Sequence, residues 1–198
     1  MKYLILIATS LMLTVAPWAH AAEPKASGYL SDYNRLVEGE YLEAYWVDAG
    51  NLERSSAPVI GLGDIDVHKI KDQKGVSAAD CAGWLRNDLL ATPVIAAGTG
   101  ERYTLNLAIT HMDSGSRAKR IWAGEFGAGH AQLQIEGRVV DNESGEIVAE
   151  FAERRRSSGA LGAKDITHDA GPHIIEHLVV LVSSDAANEL HASFLQRQ

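Results

Sequence analysis

The chain holds a single cysteine, Cys81, among 198 residues, which excludes an internal disulfide framework. Its neighbours Ala82, Trp84 and Leu85 place it on an apolar helix face with no base close by in sequence, so the thiol reads as a core side chain rather than a nucleophile. No cysteine stands at the end of the N-terminal apolar stretch, where a bacterial lipoprotein carries the thiol that is acylated, and no lipid anchor is expected. Past that stretch the best apolar run is Leu178 to Val182, too short to cross a bilayer, so no transmembrane span is expected. Positive charge is scarce as well. Lys and Arg total 18 against 26 Asp and Glu, a formal charge of −8, and that balance argues against nucleic acid, whose binding needs a basic footprint.

The N-terminus carries the clearest targeting pattern. Lys2 gives a positive start, Tyr3 to Val15 is apolar apart from Thr9, Ser10 and Thr14, Pro17 breaks the helix, and Ala19-His20-Ala21 has the small-x-small form read by a signal peptidase. Residues 1–21 are therefore expected to be a cleaved signal peptide, with the remainder periplasmic or secreted. A polar segment over residues 22–40 and a single α+β domain over residues 41–198 are expected to follow.

Periodicity supplies the elements. Tyr29, Leu30, Tyr33 and Leu36 suggest a short helical turn, and residues 41–47 an extended aromatic-rich stretch. Ile65 and Val67 alternate with acids as in a strand. Ser77 with Asp80 forms a capping-box start for a helix striped by Cys81, Trp84, Leu85 and Leu89, and residues 93–97 form a short strand. Tyr103, Leu105, Leu107 and Ile109 mark one face of a strand; Leu133, Ile135 and Val139 mark another. The turn residues Asp141 to Gly145 join the latter to Ile147, Ala149 and Phe151 in a hairpin. A last helix is predicted from Pro172 to Leu195. The architecture expected is a mostly antiparallel sheet of about five strands with two main helices packed on one face.

Two stretches carry a resemblance. Ser27-Gly28-Tyr29-Leu30-Ser31-Asp32-Tyr33 resembles the opening motif of a bacterial family of predicted lipoproteins, a domain of unknown function. Gly127-Ala128-Gly129-His130-Ala131, leading through Val139-Val140-Asp141 to Ser144-Gly145-Glu146-Ile147-Val148, is similar to that family's glycine-rich entry and hairpin. The resemblance implies an α+β envelope protein and supplies no catalytic residue; the chain departs from the family in lacking the lipidated cysteine.

Three further patterns could carry chemistry. His173-Ile174-Ile175-Glu176-His177 puts two imidazoles on one helix face, where they could share a zinc ion, and its H-x-x-E-H form resembles inverzincin metalloproteases, in which the Glu activates water. Asp165, His168 and Asp169 stand upstream as possible further ligands; the plainer alternative is a solvated, polar helix start with Glu176 near the N-terminal dipole. Arg154, Arg155 and Arg156, together with Arg117, Lys119 and Arg120, could dock an acidic partner, or could be a strand end balanced by Glu150 and Glu153. Tyr29, Tyr33, Tyr41, Tyr45 and Trp46 could form an interaction surface or close the core edge. The glycines at 124–129 lead into a strand and lack a following Lys-Ser/Thr, so a phosphate loop is not expected. With no coherent catalytic set, the reading is a non-enzymatic, envelope-associated binding protein with a protein or envelope component as partner. A metal-dependent hydrolase built on His173, Glu176 and His177, and a carrier for a small apolar ligand, are the alternatives.

Overall fold

The computed structural model of the chain describes residues 24–54, 59–67, 69–72, 76–113, 115, 130–157 and 162–183. The expected signal peptide, the basic group Arg117, Lys119 and Arg120, and the glycines at 124–129 lie outside the described residues.

Alternating side chains build the sheet from its long strands outward. β5 (Tyr103–Asp113), β6 (Gln132–Asp141) and β7 (Ile147–Arg156) pair antiparallel, with Leu105 opposite Val139 and Gly137 opposite Phe151. The β6–β7 turn closes as its chemistry predicts. Asp141 Oδ1 accepts from the backbone N–H groups of Glu143 at 2.8 Å and Ser144 at 3.3 Å.

The short strands extend this core on both sides. β1 (Val37–Glu38) and β2 (Ala44–Val47) pair antiparallel and attach to β7, while β3 (Ile60–Asp66) and β4 (Ile95–Ala97) lie beyond β5. The order is β1-β2-β7-β6-β5-β3-β4. This corrects the expected sheet of about five mostly antiparallel strands: seven are present, and β3 runs parallel to both β4 and β5. The α+β class holds. The β3–β4 pair is parallel because α1 (Ala78–Leu90) is long enough to carry the chain back from the end of β3 to the start of β4.

One close approach makes that connection possible. β4 and β5 flank β3, so the five-residue link 98–102 must cross over it, and it does so at Gly61. A Cβ there would stand 1.8 Å from the Gly100 nitrogen and 2.3 Å from the Gly98 oxygen, so only glycine fits.

Both helices cover the same sheet face. Ser77 Oγ accepts from the Asp80 N–H at 3.0 Å and Asp80 reaches back to the Ser77 N–H, completing the capping box. Cys81, Leu85 and Leu89 are then fully buried, with the Cys81 sulfur 3.6 Å from that of Met112. α2 (Ala163–Val182) begins well before Pro172, which therefore lies inside the helix, a correction to the expected start. Ala163, Ile166, Thr167 and Ala170 are buried at helical spacing ahead of the proline, and Asp165 accepts from the Gly162 N–H at 2.8 Å. The predicted extension to Leu195 runs past residue 183 and so outside the described residues. No described helix is long and apolar enough to cross a membrane.

Candidate functional site

The sheet's two faces treat charge differently. On the face away from the helices, β6 and β7 present Gln134, Glu136, Arg138 and Glu150, and residues 24–36 cover them. Glu136, with no exposed surface, accepts hydrogen bonds from Ser27 Oγ at 2.8 Å, Tyr33 Oη at 2.6 Å, Thr110 Oγ1 at 2.9 Å and Gln134 Nε2 at 2.6 Å. Glu150, equally buried, accepts from the Ser31 N–H and Oγ, each at 2.8 Å, and from the Arg35 guanidinium at 2.6 Å. Burial alone would raise the Glu150 carboxyl, but these donors outweigh it and hold the group below the usual carboxylate range. The Tyr33 oxygen meanwhile receives the backbone N–H groups of residues 27–30, all within 3.3 Å, a wrap closed by Gly28 at a φ of 84°. The Ser27–Tyr33 stretch is thus a clamp on two buried glutamates.

The aromatic residues of this region divide by face. Arg35 lies 3.4 Å from the Trp46 ring centroid and Arg138 lies 4.5 Å from that of Tyr29. Tyr45 turns to the opposite face and packs edge-on against His177, their centroids 4.8 Å apart. Tyr41 lines a groove.

Beneath α2 the sheet carries a second set of charged groups, and these are poorly satisfied. Glu43, just before β2, donates its backbone N–H to Glu153 Oε2 at 2.9 Å, bringing two carboxyl side chains together. Glu153 is 1 % exposed and ion-paired to Arg155, whose guanidinium also stands 3.6 Å from Asp169 on α2. Burial, with the charge of Glu153 added, pushes the Glu43 carboxyl up to about 7, against the opposing pull of Arg155 and Arg154. Burial raises Glu153 too, although Arg155, the Glu43 N–H and His173 draw it back. Alongside runs an open groove of about 990 Å³, walled by residues 36–44, by Pro24, Ala26 and Tyr33, and by Arg155 and His173.

Of the residues singled out in the sequence, His173, His177 and Arg155 fall beside this cluster. His173 lines the groove. His177, one turn on, sits 7 % exposed between Tyr45 and Phe151, and burial lowers its imidazole to about 4. Among the described residues its Nε2 has no hydrogen-bond partner. Among the described residues no three His, Cys, Asp or Glu side chains are grouped so as to hold a metal ion. Of the upstream candidates, Asp165 caps the helix, Asp169 faces Arg155, and His168 Nδ1 lies 2.6 Å from Asp88.

Strand geometry splits the arginine triplet. Arg155 points under α2, Arg154 turns to the other face and donates to Gln132 at 2.7 Å, and Arg156 is exposed, so the three do not share one patch. Glu43 escaped the sequence reading, and Glu153 entered it only as a counter-charge to the arginines. Extending the inward alternation past Phe151 reaches Glu153 and Arg155, and extending it back from Tyr45 reaches Glu43, which is the signal that could have found them.

No curated protein matches the sequence. Solved structures give distant likenesses. A PelC dodecamer from Paraburkholderia phytofirmans is 11 % identical over 62 % of this chain and 89 % of its own, with a TM-score of 0.45. The Xanthomonas campestris protein XCC0632 is 13 % identical over 65 % of this chain and 88 % of its own, with a TM-score of 0.39. Lipoprotein GNA1162 from Neisseria meningitidis is 8 % identical over 62 % of this chain and 98 % of its own, with a TM-score of 0.34. Likenesses this remote do not speak to function. The family model of a domain of unknown function, DUF4410, matches residues 78–163, a span that takes in the β6–β7 hairpin, Glu153 and Arg155 but not the Ser27–Tyr33 clamp.

Proposed function

We propose that the protein is an exported, non-catalytic binding protein of the cell envelope whose site is the groove beside β1, β2 and α2. The observation that carries this reading is the groove itself, about 990 Å³ and walled by both apolar and charged side chains. Ligand sites commonly take the form of such concavities, with a few polar groups set in apolar walls. The N-terminal leader supports export.

The test places a photocrosslinking phenylalanine at Tyr41, inside the groove, or at Glu101, remote from it, in the protein expressed with its leader. A processed protein in the periplasmic fraction that gives a discrete adduct from position 41 alone is the expected outcome. An unprocessed cytoplasmic protein, or equal labelling from both positions, removes the reading.

A further inference from the structure

Cross-strand partners place Ile65, Leu107, Gly137, Phe151, Tyr45 and Val37 in one row on the helix-covered face, running from β3 out to β1. Leu107 and Phe151 are buried, and α2 covers the row as far as Tyr45, which packs against His177. Val37 ends the row 56 % exposed, the most open large hydrophobic side chain among the described residues. Its strand pairs with β2 alone, and among the described residues no backbone group bonds the other side of β1. Sheet edges are commonly blunted by an inward-pointing charge, a proline or a bulge. At β1 the inward position holds a valine that continues the core.

The opposite face of the same edge is acidic. Glu38 continues the row of Ala44, Ala152 and Glu136, away from the helices, and both Glu38 and Glu40 are exposed. The basic side chains that line the groove, Arg155 and His173, stand on the helix side, and Arg155 is already ion-paired with Glu153.

We propose that β1 receives an extended segment of a partner protein as a further strand, one along which apolar and basic side chains alternate. Its apolar side chains cover Val37 on the helix side, its lysines or arginines meet Glu38 on the other, and its backbone bonds the open side of β1. Unlike charges directly across a strand pair favour such a register, and like charges oppose it. A second copy of β1 would set Glu38 and Glu40 against their own kind, so the acids direct this edge to a basic partner rather than to itself. The inference rests on the groove being a binding site, since residues 36–44 form its wall, and it names the manner of binding.

The probe is a labelled, end-blocked heptapeptide of alternating lysine and valine, titrated by fluorescence anisotropy beside its glutamate–valine counterpart. Saturable binding of the lysine peptide and none of the glutamate peptide are expected. A strand offers alternate N–H groups to its two sides. Methylating the valine nitrogens or the lysine nitrogens should therefore abolish binding in one case only. Glu38→Lys, at an exposed position, should weaken the lysine peptide about tenfold and admit the glutamate peptide. Val37→Ser should weaken both wild-type and charge-reversed pairings several-fold, and Glu146→Gln, on the β6–β7 turn, neither. Equal loss from the two methylated peptides, equal binding of the glutamate peptide to wild type, or unchanged affinity in Glu38→Lys or Val37→Ser overturns the inference. So does a dimer in sedimentation that Val37→Ser disperses, because the edge then pairs with itself. Failure of the lysine peptide to bind while Tyr41 still gives its adduct overturns strand addition and leaves the groove reading standing. Peptide binding with the expected pattern but no adduct from Tyr41 supports the edge and tells against an envelope partner.

Discussion

Glu136 and Glu150 on one face of the sheet, and Glu43 and Glu153 on the other, are four glutamates shielded by the same few strands, yet their surroundings differ in kind. The first pair is met by hydroxyls, an amide and a guanidinium group, and the Glu150 carboxyl is held below its usual range. The second pair lies together, with Glu153 ion-paired to Arg155, and both carboxyls are raised. Saturated buried charge fixes a structure, whereas under-satisfied buried charge stores free energy that a ligand or proton can release. On that contrast the hold of Ser27, Ser31, Tyr33 and Arg35 on Glu136 and Glu150 is architecture, and the groove proposed as the binding site runs beside the less satisfied pair.

The contrast can be broken in three ways, in falling order of effect. Glu136→Ala removes the acceptor shared by Ser27, Tyr33, Thr110 and Gln134 and should cost about 4 kcal/mol in chemical denaturation; a loss under about 1 kcal/mol would mean the clamp is not structural. On the opposite face, His177 is neutral in the fold and held near 4, below its ordinary value of 6.5. The unfolded chain therefore takes up its proton first, and stability falls as the pH drops from about 6.5 to 4, by up to about 3 kcal/mol. His177→Leu should flatten that part of the stability profile, and an unaltered slope would place the acid sensitivity elsewhere. Least of all, Tyr33→Phe strips the hydroxyl from the clamp while keeping the ring and should cost about 1–2 kcal/mol. Urea midpoints that coincide with wild type would show that Ser27 and water suffice at Glu136.

What the sequence made legible was local. The β6–β7 hairpin followed from alternation and the Asp141–Gly145 turn, and the start of α1 from Ser77 and Asp80, because each signal lies within a few residues of its effect. The parallel pairing of β3 did not show, since β4 has three residues and β1 two, too few for a period to register, and pairing across the sheet leaves no local mark. Pro172 misplaced the start of α2 because a proline favoured in a first turn is also tolerated within a helix that packing holds in place. At the site, His173, His177 and Arg155 stood out for their residue types, while Glu43 and Glu153 did not. A glutamate at an inward strand position looks like any solvated acid until the helix above it is known.

The chain's passage across β3 at Gly61 has a consequence for the sheet's outer margin. Because backbone atoms of residues 98–100 occupy the space where any side chain at 61 would begin, the crossing pins the short β4 against β3 and keeps β3 from being the sheet's outer edge. Were it displaced, Ile60 and Leu62 would offer an unpaired, greasy border to the next molecule, so a missing methyl group also guards against aggregation.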